Sequence, residues 1–178
     1  MWAARLGYAR AMLRTLTVIA AAAALAAVLA ATGAAATPSR SLASAYAHRT
    51  FVVDPQLGDR SFALEGPSHT VHASDGSSIT AFGIVIADSG DGSGQAVLLF
   101  RGGHFLGWAS AFDTLHLSVS ASGSAIDVKY GVYKGNDPSC CPSSIKTIAY
   151  RWTGGRIVAS GTPPLIYGRQ GSRLHLRP

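Results

Sequence analysis

From Leu115 to Val132 the chain alternates apolar and polar residues with a period of two, and this alternation restricts the fold more than any other feature. Leu115, Leu117, Val119 and Ala121 fall on one side, His116, Ser118 and Ser120 on the other. After a Ser122-Gly123 turn, Ile126, Val128, Tyr130 and Val132 alternate with Asp127, Lys129, Gly131 and Tyr133. Successive side chains of a strand point to opposite faces, so this pattern predicts half-buried strands with one face on a core. The stretch 61–164 is punctuated to match. Gly66-Pro67 and Asp75-Gly76 are turn signals. Ile79–Ala87 and Ala96–Phe100 are apolar strands separated by a glycine-rich loop, and Gly102-Gly103 turns the chain into Phe105-Leu106. Ile148, Tyr150 and Trp152 share a face, Gly154-Gly155 turns into Ile157-Val158, and Thr162-Pro163-Pro164 ends the pattern. Strands joined by short turns, with no long helices between them, predict a mainly β domain over 61–164. It is an antiparallel sheet of short strands and hairpins, or α+β if one short N-terminal helix precedes it.

The N-terminus has a different character. Residues 1–15 carry Arg5, Arg10 and Arg14 and no acid, Leu16–Ala31 is apolar apart from Thr17, and Ala34-Ala35-Ala36 supplies small residues. A basic region, an apolar region and an A-x-A end predict a secretory signal peptide over 1–36, cleaved after Ala36. The other reading is a retained anchor, although the apolar run falls short of the roughly 18–20 residues that a spanning helix needs. Cleavage leaves 142 of the 178 residues, enough for one domain with a substantial core. It also removes three of the 15 basic residues, leaving 12 against 9 acids, a formal charge of +3. A balance this mild suits anionic envelope surfaces weakly and carries no argument for nucleic acid. Membrane contact is expected only through the leader, if it stays uncleaved.

Residues 37–60 read as a stem or a short helix. In the helical reading Thr37 is the N-cap, Pro38 the first helical residue, Leu42 and Tyr46 lie on one face, and the helix ends near His48. Phe51-Val52-Val53 is a short apolar run stopped by Asp54-Pro55. Residues 165–178 carry Arg169, Arg173 and Arg177 and read as a basic, flexible tail.

The most distinctive chemistry lies between two strand-like runs, in Gly135-Asn136-Asp137-Pro138-Ser139-Cys140-Cys141-Pro142-Ser143-Ser144. Cys140 and Cys141 are the only cysteines. Exported cysteines tend to pair, and with two present the intramolecular bond joins neighbours. Their Cα atoms are held about 3.8 Å apart by a trans peptide, whereas ordinary disulfides span about 4.4–6.8 Å. Such a ring is expected to be strained and reducible. The pair reads as a rigid loop staple, with Pro138 and Pro142 assisting; as free or interchain thiols; or as a redox switch or dithiol for soft metal ions. Asn136, Asp137, Pro138, Cys140, Cys141 and Pro142 make up the candidate functional loop.

Three blocks resemble the LppP/LprE family of actinobacterial lipoproteins in order and spacing: Val97–Gly107 with Arg101-Gly102-Gly103-His104, Tyr133–Pro142 around Cys140-Cys141-Pro142, and Tyr150-Arg151-Trp152-Thr153-Gly154-Gly155-Arg156. The resemblance implies an exported, envelope-associated protein and supplies no catalytic residue. Family lipoproteins carry a lipobox cysteine at the cleavage site, while Ala31–Thr37 has none, so no thioether-linked diacylglycerol is expected here.

Other candidates are weaker. Asp88–Gln95 holds two aspartates among glycines, but lacks the spacing and closing glutamate of a calcium loop, and a solvated turn accounts for it. Asp88-Ser89-Gly90 shares three residues with a serine-protease nucleophile loop, yet no Gly-x-Ser-x-Gly elbow exists. His48, His69, His72, His104 and His116 are scattered, and His69 and His72 are expected on opposite faces of a strand. Trp108, Phe112 and Tyr133 read as core or as an exposed aromatic surface. No catalytic set, metal site or cofactor site is identified. The expectation is an exported cell-envelope protein, secreted or envelope-bound, that binds or supports an unidentified envelope component. The alternative is a thiol-redox or metal-responsive protein acting through Cys140-Cys141.

Overall fold

A computed structural model describes residues 36–54, 58–89, 94–168 and 170–178. The expected leader lies outside these residues except for Ala36, as does the centre of the Asp88–Gln95 loop. One helix, α1 (Arg40–Arg49), is followed by strands β1 (Thr50–Asp54), β2 (Gly58–His72), β3 (Ser78–Ile86), β4 (Gln95–Arg101), β5 (His104–Trp108), β6 (Leu117–Ser122), β7 (Ala125–Val132), β8 (Ser144–Thr153), β9 (Arg156–Ala159) and β10 (Leu174–Leu176). They form a six-stranded sheet in the order β10-β1-β2-β3-β4-β5 and a four-stranded sheet in the order β6-β7-β8-β9. Every pairing is antiparallel, so the fold is mainly β, with one short helix among the described residues.

The layers follow from the parity of β3 and β4. Phe82, Ile84, Ala96, Leu98 and Phe100 face α1, where they cluster with Ala43, Ala47, Val52, Phe62 and Leu174. Ile79, Ala81, Val97 and Leu99 face the small sheet and pack on Ile126, Val128, Tyr130, Ile148 and Tyr150. A strand covered on both faces has no polar side to show, which is why these two runs are almost wholly apolar, with the buried Thr80 hydroxyl bonded to Thr70 at 2.9 Å, while β6 and β7 alternate. The alternation read from Ile126 to Val132 places Ile126, Val128 and Tyr130 on the core face of β7.

Helix α1 begins at Ser39, whose hydroxyl accepts from the Leu42 amide at 3.1 Å, so the cap lies two residues beyond Thr37. Ala43 and Ala47 are fully buried and allow the helix to lie close on the sheet. Tyr46 stacks on Phe105 at 4.6 Å and meets Phe100 edge-on at 5.6 Å. At the C-terminal end the Thr50 hydroxyl donates to the Tyr46 carbonyl at 2.8 Å and accepts from the Trp108 indole at 3.3 Å, tying helix, β1 and β5 together.

Three expectations change. Residues 50–54 are a strand rather than stem, since Val52 is buried between β2 and β10. Gly66-Pro67 does not turn the chain. It forms a bulge within the 15-residue β2, with Gly66 at φ +67°, and the ladder resumes at Ser68 opposite Phe82. A bulge leaves residues outside the ladder, so proline's missing N–H costs no pairing there. The 165–178 segment is no loose tail: Thr50, Phe51 and Val52 pair with Leu176, His175 and Leu174, and Leu174 is buried. Arg177 reaches Asp59 at 3.4 Å, and its guanidinium sits 4.8 Å from the Phe51 ring centre.

Candidate functional site

Strand β7 ends at Val132 and β8 begins at Ser144 opposite it, so the register itself throws residues 133–143 out as a loop beyond the paired ladder. Cys140 and Cys141 are joined by a disulfide, with Cα atoms 3.8 Å apart. Both are exposed, as are Asn136, Pro138 and Ser139, while Pro142 is half-buried.

Asp137 organises the loop. Its Oδ2 accepts from the Lys134 amide at 2.7 Å and from the Ser143 amide at 3.0 Å, and the Ser143 hydroxyl reaches both carboxylate oxygens at 2.6 and 2.8 Å. The Asp137 amide in turn donates to the Lys134 carbonyl at 3.0 Å. Donors converging on one carboxylate hold it charged. The Lys134 amide and the Ser143 hydroxyl, ahead of the remaining contributions, keep it below the ordinary carboxylate range. A second tie comes from Tyr133, buried at the mouth of the loop, whose hydroxyl donates to the Ser139 carbonyl at 2.7 Å. Burial first, and then the neighbouring Tyr167 ring and Asp137, raise this phenol above its ordinary range, so it stays a donor. The Cys141 amide donates to the Pro138 carbonyl at 3.0 Å. The staple is therefore as much a carboxylate clasp as a disulfide.

Tyr133 is accordingly no exposed aromatic. Trp108 and Phe112 are half-buried, with Trp108 against Phe105. His69 and His72 pair with Ala81 and Ser78, on opposite faces of β2. The ring Nδ1 of His72 lies 3.2 Å from the Ser78 hydroxyl, and His69 lines a cleft of about 310 Å³ with Gly66, Pro67, Leu117 and Val119. Gln95 is engaged at both ends. Its side-chain amide donates to Glu65 at 2.8 Å, and its side-chain oxygen accepts from the Leu117 amide at 2.7 Å. Among the described residues no three His, Cys, Asp or Glu side chains gather where they could hold a metal ion.

Two further clusters were not singled out in the sequence. Asp75, in the β2–β3 turn, accepts from the Ser77 amide and the Trp152 indole, both at 2.9 Å, and its Oδ2 lies 3.8 Å from Arg101, whose guanidinium covers the Trp152 ring at 4.7 Å. In the core, the Tyr130 and Tyr150 hydroxyls are 2.8 Å apart. Burial raises both phenols, so the pair is neutral.

Residues 73–155 match the LppP/LprE lipoprotein family. The span runs from the β2–β3 turn to the β8–β9 turn, taking in Asp75, Arg101, Trp152, both core tyrosines and the whole cysteine loop. It supports association with the cell envelope and names no activity. No curated protein and no solved structure matches the chain.

Proposed function

We propose, taking the LppP/LprE likeness of residues 73–155 as the premise, that this is an exported envelope protein acting by binding rather than catalysis, and that it presents the 133–144 loop to an envelope component. The observation that carries this reading is the loop itself. It is held in one shape by the Asp137 clasp, the Tyr133 hydroxyl and the Cys140–Cys141 bond, yet the residues at its tip face outward. A pre-ordered exposed loop gives up little conformational entropy when it binds, which is the physical advantage of investing local ties in a surface segment. Export without lipidation belongs to the same reading, and intact-mass analysis should give an unmodified N-terminus near Thr37.

A photoreactive residue at Asn136, compared with one at Ser120 on β6, tests the proposal in intact cells. A crosslinked adduct specific to the loop position is expected. Equal labelling at both positions would count against presentation by the loop.

The exposure of both sulfurs favours one second reading, a thiol-redox or metal-responsive role. It predicts two alkylatable thiols in freshly exported protein, whereas the binding reading predicts none before reduction.

A further inference from the structure

The Asp113 carboxyl sits where two other parts of the chain meet. Residues 109–116 link β5 to β6, and both sides of this link are bonded. Gln95 and Thr114 exchange backbone hydrogen bonds at 2.8 Å each. On the other side the Asp113 amide donates to the Ser172 carbonyl at 3.0 Å, the Leu174 amide donates to the Ala111 carbonyl at 3.0 Å, and Phe112 bridges to Arg173. The C-terminal segment thus reaches β1 by first lying along Asp113.

Contact around the carboxyl is close on two sides, and on one of them it requires glycine. A β-carbon on Gly171 would collide with Asp113 Oδ1 and with its carbonyl, and one on Gly94 would stand 3.3 Å from Oδ2. Oδ1 is sealed from solvent and has no hydrogen-bond partner among the described residues. A buried charged oxygen without a donor is costly, whereas a protonated carboxyl is tolerated. On the elements packed against it, the described ionisable groups are Asp88 just beyond β3, Arg101 at the end of β4 and Arg173, His175 and Arg177 towards the C-terminus, with His116 exposed on its own link; Arg101 and Arg177 face Asp75 and Asp59 instead. None of these is within ion-pair distance of it.

We propose that Asp113 is a proton-operated latch on the C-terminal strand: with its carboxyl protonated, residues 170–177 seat against the link and β10 closes the edge of β1, and deprotonation loosens that seat. Release uncovers the backbone edge of Thr50–Val52, a row of groups ready to pair with another strand.

Burial pushes the carboxyl up from its ordinary 3.8 to about 6, against the partial pull of the Ser172 and Asp113 amides, neither of which closes a hydrogen bond to Oδ1. Because the seated value lies above the free one, the seated form binds more protons between them. The seat is fully stabilised below pH 3.8 and loses that stabilisation as pH rises through about 6. A displacement of about two pH units makes the segment open roughly a hundredfold more often at neutral pH than in acid.

Amide hydrogen exchange on the full chain reads this directly. After correction for intrinsic exchange, protection at the Leu174 and Arg177 amides, which bond to Ala111 and Arg49, should fall about a hundredfold between acid and neutral pH. In Asp113→Asn, which retains His175, protection should be flat with pH. Flat protection in the wild type, or an unchanged pH dependence in the variant, overturns the latch. Should the variant fail to fold, carboxyl-carbon titration of the wild type decides instead: a midpoint near 6 supports the latch and one near 3.8 removes it.

Discussion

The Trp152 indole donates to Asp75 at 2.9 Å across 77 positions of sequence, and so fastens the small sheet to the turn between β2 and β3. Arg101 completes the junction by covering the same indole ring while its charge faces Asp75. Hydrogen bonds from the Ser77 side chain and backbone, then Trp152 and the Arg101 charge, hold the Asp75 carboxyl below its ordinary range. A carboxylate lowered in the fold contributes stability above its unfolded value and loses it as pH falls through the folded one. Asp75→Asn should therefore melt below wild type at neutral pH, and the gap should close on acidification to about pH 2. Paired thermal melts across that range check it. Trp152→Phe, which keeps the ring beneath Arg101, should show a smaller loss.

The two core tyrosines make a sharper test of pairing. Tyr130 and Tyr150 are each almost fully buried and bond to one another. Tyr150→Phe leaves the Tyr130 hydroxyl buried without that partner and should cost about 1–3 kcal/mol in denaturant unfolding. Replacing both by Phe should recover most of the loss, because no stranded hydroxyl remains. A double-mutant cycle measures the coupling.

In the loop, the disulfide closes a ring too small to remove much chain entropy. Cys140→Ser with Cys141→Ser should lower the melting temperature only slightly. Asp137→Ala removes the acceptor of three donors and should loosen residues 134–143 more than the cysteine changes do. Backbone relaxation measurements would rank them. Non-reducing peptide maps of the wild type should show the loop fragment about two mass units lighter than after reduction.

Gly131 is the internal support of that loop. A β-carbon there would meet the Tyr133 ring at 2.9 Å, the His116 β-carbon at 3.0 Å and the Leu115 carbonyl at 3.2 Å. Gly131→Ala should displace Tyr133 from Ser139 and destabilise by about 1–3 kcal/mol through overpacking. Its spectroscopic sign would be a Tyr133 side chain more exposed to solvent than in the wild type.

The parts of this fold that were legible are those set by local pattern. Alternation marks β6 and β7 because each is half-covered. Glycine pairs mark the turns after β4 and β8, where the chain reverses within two residues. What escaped depends on distant partners. Leu174-His175-Leu176 looks like part of an arginine-rich tail until β1 is beside it. β2 hides behind Gly66-Pro67, since a turn and a bulge use the same residues. At the loop, adjacent cysteines between prolines announced a constrained segment. The carboxylate that holds it was visible only as a turn former, because its partners are chosen by how β7 and β8 align. Asp75, Arg101 and Trp152 lie in separate elements, and nothing in their spacing brings them together.

Finally, β3 and β4 give alternate side chains to two different cores. Neither core can melt while the other persists, because loss of either exposes one whole apolar face of the same two strands. The helical side and the small-sheet side are therefore one thermodynamic unit, and residues 36–178 should unfold in a single transition rather than by halves. For the same reason, a fragment cut to the family-matched span would keep β3 and β4 but bare the Phe82–Ile84 and Leu98–Phe100 side that α1 and β1 cover. Such a piece would associate through that face before it could serve as a minimal domain.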